Sequence, residues 1–170
     1  TEAVDRLHTT AESHHRIMLL EVMGRDAGWI ALHAGLAGGA HAILLPEIAF
    51  SVEALGDFLK QREARHKYSI VVVAEGVRLP LELAAQRAAA GAGSVSQVIA
   101  NAISARTELD VRVTVLGHTQ RGGSPSPFDR ILSSRFGVAA VELAVRGGFG
   151  HMVALRGSQV VDVPLEQACA

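Results

Sequence analysis

IMLLEVMGRDAGWIALHAGLA (Ile17 to Ala37) decides the fold. Its first six residues are rich in Ile, Leu and Val on both parities, as a strand covered on both faces should be. Met23-Gly24-Arg25 then turns the chain, and a helical pattern runs from Gly28 to Gly38. A buried strand that hands over to a helix opens an α/β unit. Arg25 therefore falls at the carboxyl end of a strand, the edge of open α/β sheets where ligands bind.

Working outward, HAILLP (His41 to Pro46), YSIVVVAE (Tyr68 to Glu75) and VRVTVLG (Val111 to Gly117) carry the same signature. Helical segments alternate with them: one ahead of the first strand, Val52 to Arg65 behind the N-cap Ser51, and Ser94 to Arg106. This alternation predicts an α/β fold with a doubly wound parallel sheet, a Rossmann-like three-layer αβα arrangement. Leu79 to Gly93 is alanine-rich, broken by Gly91 and Gly93, and yields no detailed reading.

The last of these strands runs into VRVTVLGHTQRGGSPSPFDR (Val111 to Arg130). Val111, Val113 and Val115 alternate with Arg112 and Thr114, so arginine and valines face opposite sides. Gly117 ends the strand, His118 and Arg121 follow, and Gly122-Gly123 frees the backbone to approach a ligand. Cationic groups at one strand end suit a phosphate, although spacing alone leaves an ordinary solvated loop equally open. Beyond Arg121, Pro127 to Arg146 reads as one helix with Pro127 near its first position and Gly147-Gly148 at its end. Two short strands, MVALRG and SQVVDVP, follow it.

At 170 residues and 49% hydrophobic, the chain can bury one good core and a remnant rather than two independent domains. A net charge of -1 gives no global attraction to nucleic acid or to an anionic membrane. The single cysteine, Cys169, has no internal disulfide partner, which fits a reducing compartment. No apolar run approaches the ~20 residues of a membrane span and the first residues do not form a signal peptide, so a soluble, cytoplasmic protein is expected. Adjacent His14 and His15 do not share a helix face, and Asp26, His33 and His41 lack ligand-like spacing; no metal site is expected in this chain. No G-x-G-x-x-G follows a strand, which disfavours a dinucleotide-binding domain.

SHHRIMLLEVMGRDAGWIALHAGLAGGAH (Ser13 to His41), VVVAEG (Val71 to Gly76) and VRVTVLGHTQRGGSPSPFDRILSSRFG (Val111 to Gly137) closely resemble the bacterial-type 6-phosphofructokinases. The MGR turn and the LGHTQRGG loop are specific to that family and stand in its order. Those enzymes begin with an ATP-binding half that carries a GGD-type loop, a GGDGT-type loop and a TIDND-like segment, whose aspartate is the catalytic base. None of these strings occurs here, and Thr1 to Arg16 resembles the helix that follows the TIDND-like segment. The resemblance thus implies the C-terminal half of a longer enzyme, inactive in isolation. Residues 1-120 would be a fructose 6-phosphate-binding domain. Residues 121-170 would be a substrate loop, helix and tail returning to the absent half, with Ile131, Leu132, Phe136, Val141 and Leu143 partly unpartnered.

The same resemblance implies a glycolytic enzyme that phosphorylates the 1-hydroxyl of fructose 6-phosphate with ATP and Mg2+. Pyrophosphate is the alternative donor, and a non-catalytic sugar-phosphate-binding module is the alternative function. Arg121 and His118 match 6-phosphate ligands, the former through its bidentate fork. Arg16 and Arg112 match arginines that reach a neighbouring subunit's sugar phosphate, which implies a homo-oligomer, dimer or tetramer, with shared sites. Arg25 matches a residue that stabilises charge on the transferred phosphoryl group, and Met23 and Gly24 line the sugar. Glu75 matches an acceptor for fructose hydroxyls. Nucleotide, metal and catalytic base are implied to be held by the other half. In allosteric relatives, basic and acidic residues bind an effector near the first helix and the Gly38-Gly39 pair; here His8 and His41 stand at the matched positions.

Overall fold

A strand of six apolar or nearly apolar residues, β1 (Ile17–Val22), and a second, β3 (Ser69–Ala74), lie at the centre of the sheet and are buried at every position. They pair in parallel, from Ile17 opposite Ser69 to Val22 opposite Ala74. β2 (Ala42–Leu44) joins β3 and β4 (Val111–Val115) joins β1, both parallel, giving the order β2-β3-β1-β4. In this computed structural model the described residues are 1–91 and 93–169; Ala92, inside the alanine-rich stretch, and Ala170 lie outside them.

Helix α1 (Glu2–His14) precedes β1, and α2 (Trp29–Ala37), α3 (Val52–His66), α4 (Leu81–Ala89) and α5 (Val95–Thr107) connect the strands. Because successive strand residues face opposite sides, the core divides into two clusters. On one face Ile17, Leu19, Val71 and Val73 meet Leu55 and Leu59 of α3 and Ile99 and Ile103 of α5. On the other, Met18, Leu20, Ile70 and Val72 meet Val4 and Ala11 of α1 and Ala31 of α2. The three-layer αβα expectation is met. Each fully buried Leu or Ile, such as Leu59 or Ile99, contributes roughly 1.5–3 kcal/mol relative to exposure.

Local sequence sets the helix starts. The Ser51 and Ser94 hydroxyls accept hydrogen bonds from the backbone N–H groups of Ala54 and Gln97, satisfying donors that the first turn leaves free. Two strand expectations need correction. The run His41 to Pro46 contracts to Ala42–Leu44, because this strand borders only β3 and Pro46 has no N–H to continue a ladder. β4 is also an edge strand rather than one covered on both faces, and Val115 is 49% exposed. The alanine-rich stretch contributes α4.

The chain forms two compact units, Thr1–Gly122 and Gly123–Ala170. The second holds α6 (Pro127–Val145), the antiparallel hairpin β5 (His151–Arg156) and β6 (Gln159–Pro164), and α7 (Leu165–Ala168). α6 opens on a reciprocal cap: Ser126 Oγ accepts from the Asp129 N–H, and the Asp129 carboxylate accepts from the Ser126 N–H and hydroxyl. Those bonds hold the Asp129 carboxyl below its usual range. The helix ends where Gly147 takes φ +77° and Gly148 N–H donates to the Leu143 carbonyl. Ile131 and Val141 are exposed and Leu132 and Phe136 half-buried, but Leu143 is buried. The turn through Gly148 folds back onto the Leu143 side chain, so this residue finds cover within its own unit. Among the described residues no helix is long and apolar enough to cross a membrane.

Candidate functional site

The turn after β1 is unusual in its backbone. Gly24 has φ +153°, and a Cβ there would collide with the Ala27 carbonyl oxygen. Arg25 follows with φ +53°, a left-handed conformation that costs a non-glycine residue energy and must be held by its surroundings. Glu75, one residue beyond β3, supplies the hold. Its Oε1 accepts the backbone N–H of Gly24 at 3.2 Å and of Arg25 at 2.8 Å. Gly76 lets the turn settle, because a Cβ at that position would overlap the Arg25 carbonyl oxygen.

A second loop closes the other side. After β4 the chain enters a 3-10 turn, Gly117–Arg121, with Gly117 at φ +51°. Gln120 ties this loop to the first one: its Oε1 accepts the Met23 N–H at 3.4 Å and its Nε2 donates to the Gly117 carbonyl at 3.2 Å. Behind both loops the buried end of β1 is fixed by Glu21, whose carboxylate accepts from the Ser94 hydroxyl at 2.5 Å and the Ser96 N–H at 2.8 Å.

The result is an open cleft of about 500 Å³ at the carboxyl edge of the sheet, lined by Met23, Gly24, Arg25, Ile30, Glu75, Gln120 and Arg121. Five residues singled out in the sequence, Met23, Gly24, Arg25, Glu75 and Arg121, meet there. His118 shares the 3-10 turn but is exposed and does not line the cleft. Arg16 and Arg112 are at the opposite, amino end: Arg16 precedes β1 and Arg112 pairs with Met18. Both turn to one carboxylate, Asp110, Arg16 Nε at 2.7 Å and Arg112 Nε at 3.1 Å. Sequence reasoning passed over Gln120 and Ile30. Gln120 sits inside the cationic loop, between His118 and Arg121, but only the folded chain shows it reaching Met23.

Electrostatically the cleft is cationic. Among the described residues, the Arg25 and Arg121 side chains have no carboxylate within ion-pair distance. Two exposed, unpaired guanidinium groups beside fixed backbone and a single carboxylate suit a ligand that joins a phosphate to hydroxyl-bearing atoms. No group of three His, Cys, Asp or Glu side chains among the described residues is placed to hold a metal ion.

The sequence matches the Phosphofructokinase family model over residues 1–144. The chain belongs to the phosphofructokinase family. It is 55% identical to the ATP-dependent 6-phosphofructokinase of Chloroflexus aggregans, over 99% of this chain and 48% of that protein. It is 50% identical to the pyrophosphate–fructose 6-phosphate 1-phosphotransferase of Amycolatopsis methanolica, over 100% of this chain and 52% of that protein. The chain thus spans about half the length of the curated relatives it matches. Phosphofructokinase from Saccharomyces cerevisiae shares its fold with a TM-score of 0.80 and 32% identity, over 99% of this chain and 22% of that one.

Within this phosphofructokinase fold, His8 and His41 form a packed aromatic group with Tyr68. The two imidazoles lie 5.7 Å apart edge-on, and His41 lies 5.5 Å from the tyrosine ring. His8 Nε2 donates to the Gly38 carbonyl at 2.8 Å. His41 Nδ1 accepts the Ile70 N–H at 2.9 Å, while the His41 backbone N–H donates to the Ile70 carbonyl, so the side chain substitutes for a backbone acceptor and lengthens the sheet. Burial, with Arg62, His8 and His66 nearby, lowers the His41 pKa to about 4. The ring is therefore neutral at pH 7.

Proposed function

We propose that this chain is the fructose 6-phosphate-binding half of a 6-phosphofructokinase that transfers the terminal phosphate of ATP to the sugar's 1-hydroxyl. The observation that carries this reading is the convergence of two unpaired cations, Arg25 and Arg121, with Glu75 on one glycine-backed cleft at the sheet's carboxyl edge. Arg121, with His118 from the same turn, holds the 6-phosphate. Arg25 faces the reacting end, where a fixed cation stabilises the charge spread over the phosphoryl oxygens. Met23 and Gly24 line the sugar. Glu75 turns the oxygen not used by the MGR turn toward a hydroxyl. In the reaction the O1–phosphorus bond forms, the bond to the bridging oxygen of ADP breaks, and the O1 proton passes to a base outside this chain.

Mg2+ does not fit the residues present, since the cleft's charged side chains are two cations and one committed carboxylate. We therefore assign the metal and the nucleotide to the other half of the protein. Residues 1-120 serve as the sugar-phosphate domain and carry most of the substrate turn Gly117–Arg121, and 121-170 carry the end of that loop and a tail that returns to that other half. Arg16 and Arg112, remote from the cleft, complete the site of a second copy in a homo-oligomer. The test is a coupled assay of the full-length protein for fructose 1,6-bisphosphate, with Mg-ATP and with pyrophosphate as donors. Turnover with ATP is the expected result; turnover with pyrophosphate alone would reassign the donor, and none with either would leave a sugar-phosphate-binding module.

A further inference from the structure

Two arginines share one carboxylate at the amino edge of the sheet. The backbone places all three residues. Arg16 N–H donates to the Ala11 carbonyl at the end of α1, and its carbonyl accepts from Ser69 N–H. Ile17 N–H donates to the Asp110 carbonyl, so Arg16 and Asp110 stand side by side just before the paired register of Ile17 with Val111. Arg112 lies two residues beyond Asp110 along the chain and so projects from the same face of the strand.

The contacts occupy only part of each guanidinium. Arg16 reaches Asp110 Oδ2 through Nε at 2.7 Å. Arg112 reaches Oδ1 through Nε at 3.1 Å and Oδ2 through one terminal nitrogen at 3.4 Å. Nε lies on the inner edge of the fork, so the outer edge of each planar group stays open for a second bidentate acceptor. Two like charges brought together in this way repel, and long side chains that are 38% and 57% exposed are otherwise free to move apart.

We propose that Asp110 is a positioning residue: it aligns Arg16 and Arg112 as one two-cation surface that grips the sugar phosphate of a neighbouring copy. This rests on the shared-site reading above. Asp110 carries a negative charge of its own, but two guanidinium groups outnumber it, and the ordering it imposes lowers the entropy lost when phosphate binds.

In the full-length protein, half-saturating concentrations of fructose 6-phosphate and of donor are measured for Asp110→Ala, Asp110→Asn and Arg112→Ala. Asp110→Ala is expected to raise the sugar-phosphate value by about threefold to tenfold, as for loss of one charge-assisted contact at a half-exposed site. Asp110→Asn keeps one acceptor oxygen and falls between alanine and wild type, and the donor value moves less than about twofold in both. Either variant binding the sugar phosphate as tightly as wild type, or more tightly, while Arg112→Ala weakens it, overturns the positioning role and makes Asp110 a competitor. An increase in both half-saturation values together also overturns it, as a general loss of structure. Arg112→Ala without effect on the sugar phosphate shows instead that the shared-site reading itself is wrong.

Discussion

Glu75 Oε1 accepts the backbone N–H of Arg25 at 2.8 Å, so the carboxylate just beyond β3 clamps the turn that follows β1. The same oxygen takes the Gly24 N–H. Glu75→Ala leaves both donors without a protein partner and is expected to destabilise the fold by about 1–3 kcal/mol. Glu75→Gln, which retains an acceptor oxygen, loses less. Chemical denaturation of the full-length variants compares them, and equal stability of alanine and wild type would show that the clamp contributes nothing.

Arg25 carries two burdens, a charge in the cleft and a left-handed backbone at φ +53°. Arg25→Gly separates them. Glycine adopts that conformation without penalty, so stability is expected to hold or to rise by up to about 1 kcal/mol. Turnover of the full-length protein falls by about two to three orders of magnitude, as for loss of one fixed group that stabilises developing charge. A variant both unstable and active would contradict both assignments.

His41 makes one corner of the sheet sensitive to acid. Its folded pKa, about 4, lies below the ordinary 6.5, so between those values the unfolded ring binds a proton that the folded ring does not. Stability is then fully present above about pH 6.5 and declines as pH falls toward 4. Protonation also turns Nδ1 into a donor facing the Ile70 N–H. Hydrogen exchange at the Ile70 amide, corrected for its intrinsic rate, should lose protection across that window, by at most about tenfold per pH unit. His41→Gln, which accepts without titrating, should flatten the trend; an unchanged slope would place the sensitivity elsewhere.

Much of this was legible in the chain because it is local. The run Ile17 to Val22, apolar except for Glu21, is β1 residue for residue, and Ser51, Ser94 and Pro127 mark helix starts by chemistry confined to one turn. The short β2, the exposed face of β4 and the bridge from Arg16 to Arg112 through Asp110 were not legible. Each depends on which strands border solvent and on the register Ile17 to Val111, and periodicity carries neither. The cleft divides the same way. Arg25 and Arg121 stand out as cations at strand ends, whereas the Gln120 link to Met23 and the fit of Gly76 under Arg25 come from pairs about a hundred and about fifty residues apart. The cover over Leu143 was not legible either, because a helical stripe gives no sign that the chain will turn back at Gly148.

The most direct test of the central claim is the pair of Michaelis constants for full-length Arg121→Ala. Arg121 lines the cleft with no carboxylate partner among the described residues, so its charge is available to a phosphate. Losing one charge-assisted contact of ~1.5 to 3 kcal/mol should lower kcat/KM for fructose 6-phosphate by roughly 10- to 150-fold while the donor KM barely moves. A raised donor KM with fructose 6-phosphate kinetics intact would contradict the account, because the loop would then belong to the other substrate.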